Sequence, residues 1–302
     1  MDRQTAIHIV KLTELPHTGP KTLSRVLKLN RSLGRSLEQF FHLPAAAYRD
    51  EYRLSAPAVE CLTQQRRAFD EHGSYLAQRL LDHGGQPLLC GDPEYPAAWI
   101  QFLAQPPPFV FALGDTALLQ HPTAAILNSR SPSAEAIIAT RRIVERAARD
   151  GFGVASGAMK LGHRIAAASA RAALAARIIV LDRGLFAALG DETERDIFGL
   201  TSGHLRLDRT RTLVLSPFRL ENHAAPVNGA RRDALIAALA EVVLCVEARP
   251  GGHMEDLGLD MLARGKIVIS WRGSNLTLVN AGARMLEERD LASGLPVLLE
   301  DG

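Results

Sequence analysis

TAAILNSRSPSAEAIIATRRIVERAARDGFGVASG, residues Thr123 to Gly157, is the stretch from which the fold is read. It opens with the apolar run Ala124 to Leu127 and breaks into the polar turn Asn128-Ser129-Arg130-Ser131. Apolar residues then recur at helical spacing from about Ser133 to Arg149, until Gly151 and Gly153 lead into a second apolar run, Val154-Ala155. The spacing predicts strand, turn, helix, strand: one βαβ unit. The unpaired amides at the start of its helix favour negative charge beyond the end of the first strand.

Downstream the alternation continues. Apolar runs at Ile178–Leu181, Thr212–Leu215, Val242–Val246 and Ile267–Ile269 read as strands. Helix-period segments are predicted over about 163–175, 193–200, 231–240 and 255–263. Near-continuous apolar strands separated by helices imply a mostly parallel sheet covered on both faces. The fold class is therefore α/β, an extended Rossmann-like sheet, whose ligands bind beyond the strand C-termini.

Upstream, residues 1–84 read as a small all-helical module. Ile7, Ile9, Val10, Leu12 and Leu15 form one apolar face, and Pro16 to Pro20 breaks it. Leu23, Val26, Leu27 and Leu29 resume the period, and further helix is expected from about Pro57 to His83. Two helices around a Gly-containing turn suit a helix-hairpin-helix or SAM-like module, with Lys21, Arg25 and Lys28 near a nucleic-acid phosphate. The turn lacks the second glycine that lets the backbone approach closely, which favours a helical pair packed for its own sake. Gly84-Gly85 is a hinge, the Rossmann-like domain runs over 86–290, and 291–302 is a C-terminal tail. Tyr95-Pro96 leads a short helix with Trp99 and Phe102. Pro106-Pro107-Pro108 forces an extended lead into the strand Phe109 to Leu113.

The 302 residues suit one large and one small domain. A hydrophobic content of 47% describes a chain with a sizeable core, and a net charge of +2 gives no global basic excess for nucleic acid. Cys61, Cys90 and Cys245 lack metal-ligand spacing, and Cys245 within an apolar run reads as a buried reduced thiol. With neither a signal peptide nor a run of membrane-spanning length, a cytoplasmic location without membrane association is expected.

Four strand ends supply polar turns: Asn128-Ser129-Arg130, Ser156-Gly157 followed by Lys160, Ser216, and Glu247 through Gly251-Gly252-His253. With Ser133 and Arg232, they gather hydroxyls, glycine amides and cations on one rim, a combination suited to phosphate. The alternative is that Arg130 and Arg232 pair with local carboxylates such as Glu247 or Asp233. The sequence shows no Ser/His/Asp set and no metal-ligand cluster. His163 and His253 read as bases, ligands or plain loop residues, and Glu255 and Asp256 favour a helix start on structural grounds alone. No catalytic residue, metal or cofactor is expected.

These pieces resemble, in order over about Leu88 to Leu286, the DprA/Smf family of DNA-processing proteins. Ala125 to Arg130 with Ser133 is similar to the family's apolar strand, Gly-Ser-Arg and following serine. Val154 to Gly157 matches its second strand with Ser-Gly. Arg232 falls at the first Arg of an Arg-Asn-Arg run, and Val242 to Ala248 matches a strand ending in Glu-Ala. Gly273-Ser274-Asn275-Leu276 with Ala281-Gly282-Ala283 resembles the closing motif. The resemblance implies a homodimer that binds single-stranded DNA without catalysis and hands it to a RecA-type recombinase during natural transformation. The rim and the resemblance together give the expected site as Ser129, Arg130, Ser133, Ser156, Gly157, Lys160, Arg232, Gly251, Gly252 and His253, with Lys160 supplied by the rim alone. The chain departs from the pattern at Asn128 (for Gly), at Asp233 and Ala234 (for Asn and Arg), and at Pro217. It also lacks the Gly-Ile-Asp after Ser156-Gly157. Pro250-Gly251-Gly252 is faintly similar to the loop of LOG-type nucleotide phosphoribohydrolases, lacking its Gly-Thr. The second reading is thus such a hydrolase or a non-catalytic sensor of a nucleotide-derived ligand.

Overall fold

The computed structural model describes residues 1–200 and 205–294 and resolves into two compact units. The first comprises Met1–Asp92 with Pro107–Phe111, and the second Pro93–Pro106 with the chain from Ala112 onward.

The first unit is built from helices α1 (Arg3–Glu14), α2 (Pro20–Ser32), α3 (Leu37–Phe41), α4 (Ala45–Asp50), α5 (Ala56–Thr63) and α6 (Arg66–Asp82), followed by strand β1 (Gly85–Leu89). The helix expected over 57–83 is two helices, because the chain leaves helical geometry at Gln65, the residue that precedes α6. The first three helices have local reasons to start. Asp2 caps α1 by accepting from the Thr5 amide, Ser36 and Gln39 form a reciprocal capping box on α3, and Pro20 opens α2. The core is aromatic: Phe40 makes edge contacts with Phe41, Tyr48 and Tyr52, and all four rings are buried.

The second unit begins with α7 (Ala97–Phe102), and strand β2 (Phe109–Leu113) enters it at Ala112. Strands β3 (Thr123–Asn128), β4 (Gly153–Ser156), β5 (Arg177–Val180), β6 (Thr212–Ser216), β7 (Val242–Glu247), β8 (Ile267–Trp271) and β9 (Arg284–Leu286) follow. Helices α8 (Ala134–Arg149), α9 (Leu161–Ala172), α10 (Leu185–Leu189), α11 (Pro226–Leu239), α12 (His253–Ala263), α13 (Leu276–Asn280) and α14 (Asp290–Ser293) fill the intervals. The seven strands lie in the order β6-β5-β4-β3-β7-β8-β9, every neighbouring pair parallel.

Burial explains the apolar runs. Ala124 and Ile126 face α8 in a cluster with Ile143, Val144, Val154, Leu244 and Ile269. On the other face α11 packs on β3, β4 and β5, and α12 on β7 and β8. Cys245 is a free thiol inside this sandwich, and its burial pushes its pKa up to about 12. Trp99 of α7 is fully buried and donates Nε1–H to the Leu235 carbonyl of α11 at 2.8 Å.

The helix expected over 193–200 does not form. That segment holds turns and an isolated antiparallel bridge, Arg195 to Arg206. Asp196 explains it: the buried carboxylate accepts from the Phe198 amide at 3.1 Å, a local bond that competes with helix geometry. Its other oxygen takes Arg171 and Arg177, tying the segment to α9 and β5. In the region read as tail, α14 occupies Asp290–Ser293, while 295–302 lie outside the described residues.

Candidate functional site

β3 is the switch point of the sheet. From it the chain steps through β4, β5 and β6 in one direction, then returns to β7, β8 and β9 on the other side. The crevice beyond the C-termini of β3 and β7 is where such sheets take ligands. Two polar clusters occupy this edge.

The first lies between the ends of β3 and β7. Ser129 is buried, and its amide and hydroxyl both donate to the Glu247 carbonyl, at 2.8 and 3.2 Å. Ser133 caps α8, its hydroxyl accepting from the Ala136 amide at 3.1 Å. The amide of Ser133 donates to Glu247 Oε2 at 3.0 Å. An anion does sit at this helix start, as the amides require, but it is the chain's own carboxylate. Burial works to raise the Glu247 pKa, but the Ser133 and Ser129 donors outweigh it and hold it below the usual range. Arg249 Nη2 reaches the Ser131 carbonyl at 3.3 Å. Arg130 is exposed and forms no ion pair or hydrogen bond with any described residue.

The second cluster centres on Asp233, which is fully buried in α11. Its Oδ1 accepts from Arg232 Nε at 3.0 Å and Nη2 at 2.8 Å, and its Oδ2 takes Lys160 Nζ at 2.7 Å. His253 Nε2, at the start of α12, lies 3.2 Å from Oδ2. The third edge of the Arg232 guanidinium donates to Asp182 Oδ2 at 2.6 Å, just beyond β5. Burial pushes the Asp233 pKa up, but the His253 hydrogen bond and the Arg232 charge overcome it, holding the group well below the usual carboxylate range. His163, also fully buried, has its pKa lowered to about 3 by burial and by Arg232. Its ring is therefore neutral, and its 3.7 Å approach to Asp233 is a contact rather than an ion pair. Neither of its ring nitrogens has a hydrogen-bond partner among the described residues.

Two glycines make this packing feasible. A Cβ on Gly157 would stand 2.5 Å from His163 Nδ1 and 2.9 Å from Arg232 Cδ, so only glycine lets β4 end against those side chains. Gly251 has φ +67° and donates its amide to Glu255 Oε1 at 2.9 Å, while Glu255 Oε2 takes the Asn275 amide. Both oxygens of Glu255 therefore brace the turn. These donors, Gly251 first, lower its pKa. Gly252 is the N-cap of α12, and Ser156 is buried, its hydroxyl near the Gly157 carbonyl at 3.4 Å.

The edge thus gathers Lys160, Arg232, His253 and Gly157 around Asp233, and Ser129 and Ser133 around Glu247. Arg130 stands apart from both. Of the cations read from the sequence as converging on one ligand, Lys160 and Arg232 converge instead on a carboxylate of the chain. The carboxylate Asp182 was not singled out in the sequence, because fifty positions separate it from Arg232. Asp233, a departure from the family's Asn and the alternative partner weighed for Arg232, does pair with Arg232 and is the hub of the cluster. Among the described residues no group of three His, Cys, Asp or Glu is placed to hold a metal ion, and no helix is long and apolar enough to cross a membrane.

A parallel sheet with a switch point at β3 and a polar edge of serine, arginine and glycine beyond its strand ends defines a Rossmann-like domain. A family model described as DNA recombination-mediator protein A matches residues 86–255, more than half of the chain. The chain belongs to that family. The X-ray structure of DNA processing protein A from Streptococcus pneumoniae has the same fold, with a TM-score of 0.70 and 19% identity over 97% of this chain and 98% of the other. DNA processing protein A from Helicobacter pylori, whose structure is described for its single-stranded DNA binding mode, gives a TM-score of 0.57. It is 20% identical over 72% of this chain and 96% of its own. Curated protein sequences give no match.

Proposed function

We propose that this chain binds single-stranded DNA along the β3–β7 edge without catalysis, and delivers the strand to a RecA-type recombinase as a homodimer. The observation that carries the reading is Arg130, exposed and without a partner among the described residues, at the switch point of a family-matched sheet. The DNA-binding description of the Helicobacter pylori protein supports it. Arg130 supplies the first phosphate contact. Ser129, Ser133, Ser156, Gly157, Lys160, Arg232, Gly251, Gly252 and His253 form the wall behind it. Lys160 and His253 share their charge with Asp233, so a phosphate there competes with that carboxylate. Phosphate contacts give affinity without reading sequence, so binding is tolerant of sequence and falls with salt. A nucleotide hydrolase is disfavoured because both oxygens of Glu255, the acid nearest the glycine turn, are committed to bracing it.

The test is Arg130→Ala in the full chain, titrated with labelled oligonucleotides of several sequences at a series of salt concentrations. Affinity should drop by a similar factor for every sequence, and the slope of log K against log salt should flatten by about 0.7. An unchanged slope would remove Arg130 from the site.

A further inference from the structure

The chain's net charge of +2 conceals an uneven distribution. Between Glu14 and Glu38 lie 23 residues with no Asp or Glu and with Lys21, Arg25, Lys28, Arg31 and Arg35. With this stretch set aside, the 35 Lys and Arg against 33 Asp and Glu become 30 against 33. The basic excess of the whole protein is held in and around one helix.

That helix is α2. It buries Leu23, Val26 and Asn30 at a spacing of three and four, which turns Lys21, Arg25, Lys28 and Arg31 outward as an exposed face about 15 Å long. Lys21, Lys28 and Arg31 form no ion pair or hydrogen bond with any described residue. Arg25 is held in place by the carbonyls of Tyr52, at 3.1 Å, and Arg53, at 3.0 Å, which fix the guanidinium and leave its charge uncancelled. Arg35, at the far end, meets the carboxylate of Glu51 at 3.0 Å. At the sheet edge Lys160 and Arg232 are neutralised by Asp233 and Asp182, whereas these four cations have no counter-ion among the described residues.

We infer that the outer face of α2 is a second phosphodiester-binding surface, on the N-terminal unit and independent of the β3–β7 edge. A nucleic-acid backbone fits better than a lipid surface. Along the exposed face only Leu33, beyond the helix end, is a large exposed apolar residue, so there is no apolar wedge to enter a bilayer. The phosphate repeat of a nucleic acid matches a row of unpaired cations, and releasing the counter-ions condensed on it supplies the affinity.

The test replaces Lys21, Lys28 and Arg31 together with Gln in the full chain. Gln is a good helix former and all three positions are exposed, so circular dichroism should show unchanged helix content. Binding of labelled poly(dT) across a salt series should flatten in slope by about 2, three cations at roughly 0.7 each. A control removing equal charge elsewhere on the same unit, Arg3, Arg49 and Arg67 to Gln, should leave the slope unchanged. The variant Lys21→Arg with Lys28→Arg should also keep it. An unchanged slope in the triple Gln variant overturns the inference and leaves the Arg130 reading standing. Flattening in the triple variant with none in Arg130→Ala does the reverse. Loss of binding to phosphatidylserine vesicles with poly(dT) binding intact would identify a lipid surface and overturn it too.

Discussion

Asp233→Asn separates the two roles we assign to the hub carboxylate: structural counter-ion and competitor of an external phosphate. Asp233 is buried and takes Arg232 on one oxygen and Lys160 with His253 on the other. Removing one member of a buried ion pair costs about 3–5 kcal/mol, mostly for the charge left uncompensated. Arg232 retains Asp182 and Lys160 is partly open to water, which places the change at the low end, about 3 kcal/mol. Both tryptophans, Trp99 and Trp271, lie in the second unit, and Trp99 is hydrogen-bonded to α11 two residues beyond Asp233. Tryptophan fluorescence in urea therefore reports on this unit, and the midpoint should fall by about 1 M for a slope near 3 kcal/mol per M. Oligonucleotide binding should move the other way: Lys160 becomes free for a phosphate, and the salt slope steepens by about 0.7. Inorganic phosphate should also stabilise the variant more than the parent, because an anion that binds only the folded state raises its stability. A variant as stable as the parent would refute the hub. A destabilised variant with an unchanged salt slope would show that Lys160 does not face the ligand.

Two further predictions test the packing around this hub. His163 is lowered to about 3 from an ordinary 6.5, so below pH 6.5 the unfolded chain takes up a proton that the folded chain refuses. Stability therefore falls on acidification, by about 1.4 kcal/mol per pH unit between pH 6 and 4. Urea titrations across that range should lose this component in His163→Gln, and an unaltered pH profile would place a charged imidazole in the fold. A Cβ on Gly162 would stand 2.8 Å from Asn128 Cβ. Gly162→Ala should thus cost about 1–3 kcal/mol, and the added change Asn128→Gly should recover most of it. Additive costs in the double variant would show that the two positions do not meet.

The fold was legible because buried parallel strands are written as unbroken apolar runs, and because the turns around them carry their own signals. Ser133 marks the start of α8 by capping it, and Gly151 follows its end with a positive φ. The segment over 193–200 was misread as helix because its period ignores Asp196, whose side chain bonds the backbone locally and meets two arginines brought near only by the fold. The candidate residues are legible in the sequence and their pairing only in part. Ser129, Ser133, Gly157, Lys160, Arg232 and His253 do collect at the strand ends, and Asp233 is readable as a partner of its neighbour Arg232. A sequence does not show which distant carboxylate stands opposite which donor. Asp182 meets Arg232 across fifty positions, and Glu247 reaches the α8 start across more than a hundred. The departure at Asn128 has a similar explanation: its amide donates to Thr140 and its side chain lies against Gly162, so it bridges α8 and α9.

The internal carboxylates change what binding at this edge means. Glu247 already occupies the α8 amide, Asp233 holds Lys160 and His253, and Glu255 holds the Gly251 amide. These donors have partners, so an incoming anion gains there only the difference between its own bonds and those it displaces. The desolvation cost of these groups is met on folding. Arg130 is different: it has no described partner to lose, and so contributes its full counter-ion release. The proposed affinity for a nucleic-acid strand accordingly rests on unpaired cations at the periphery, while the buried network fixes the geometry behind them. Loss of a peripheral cation should weaken binding at unchanged stability. Loss of a hub residue such as Asp233 should change stability first and binding by exchange.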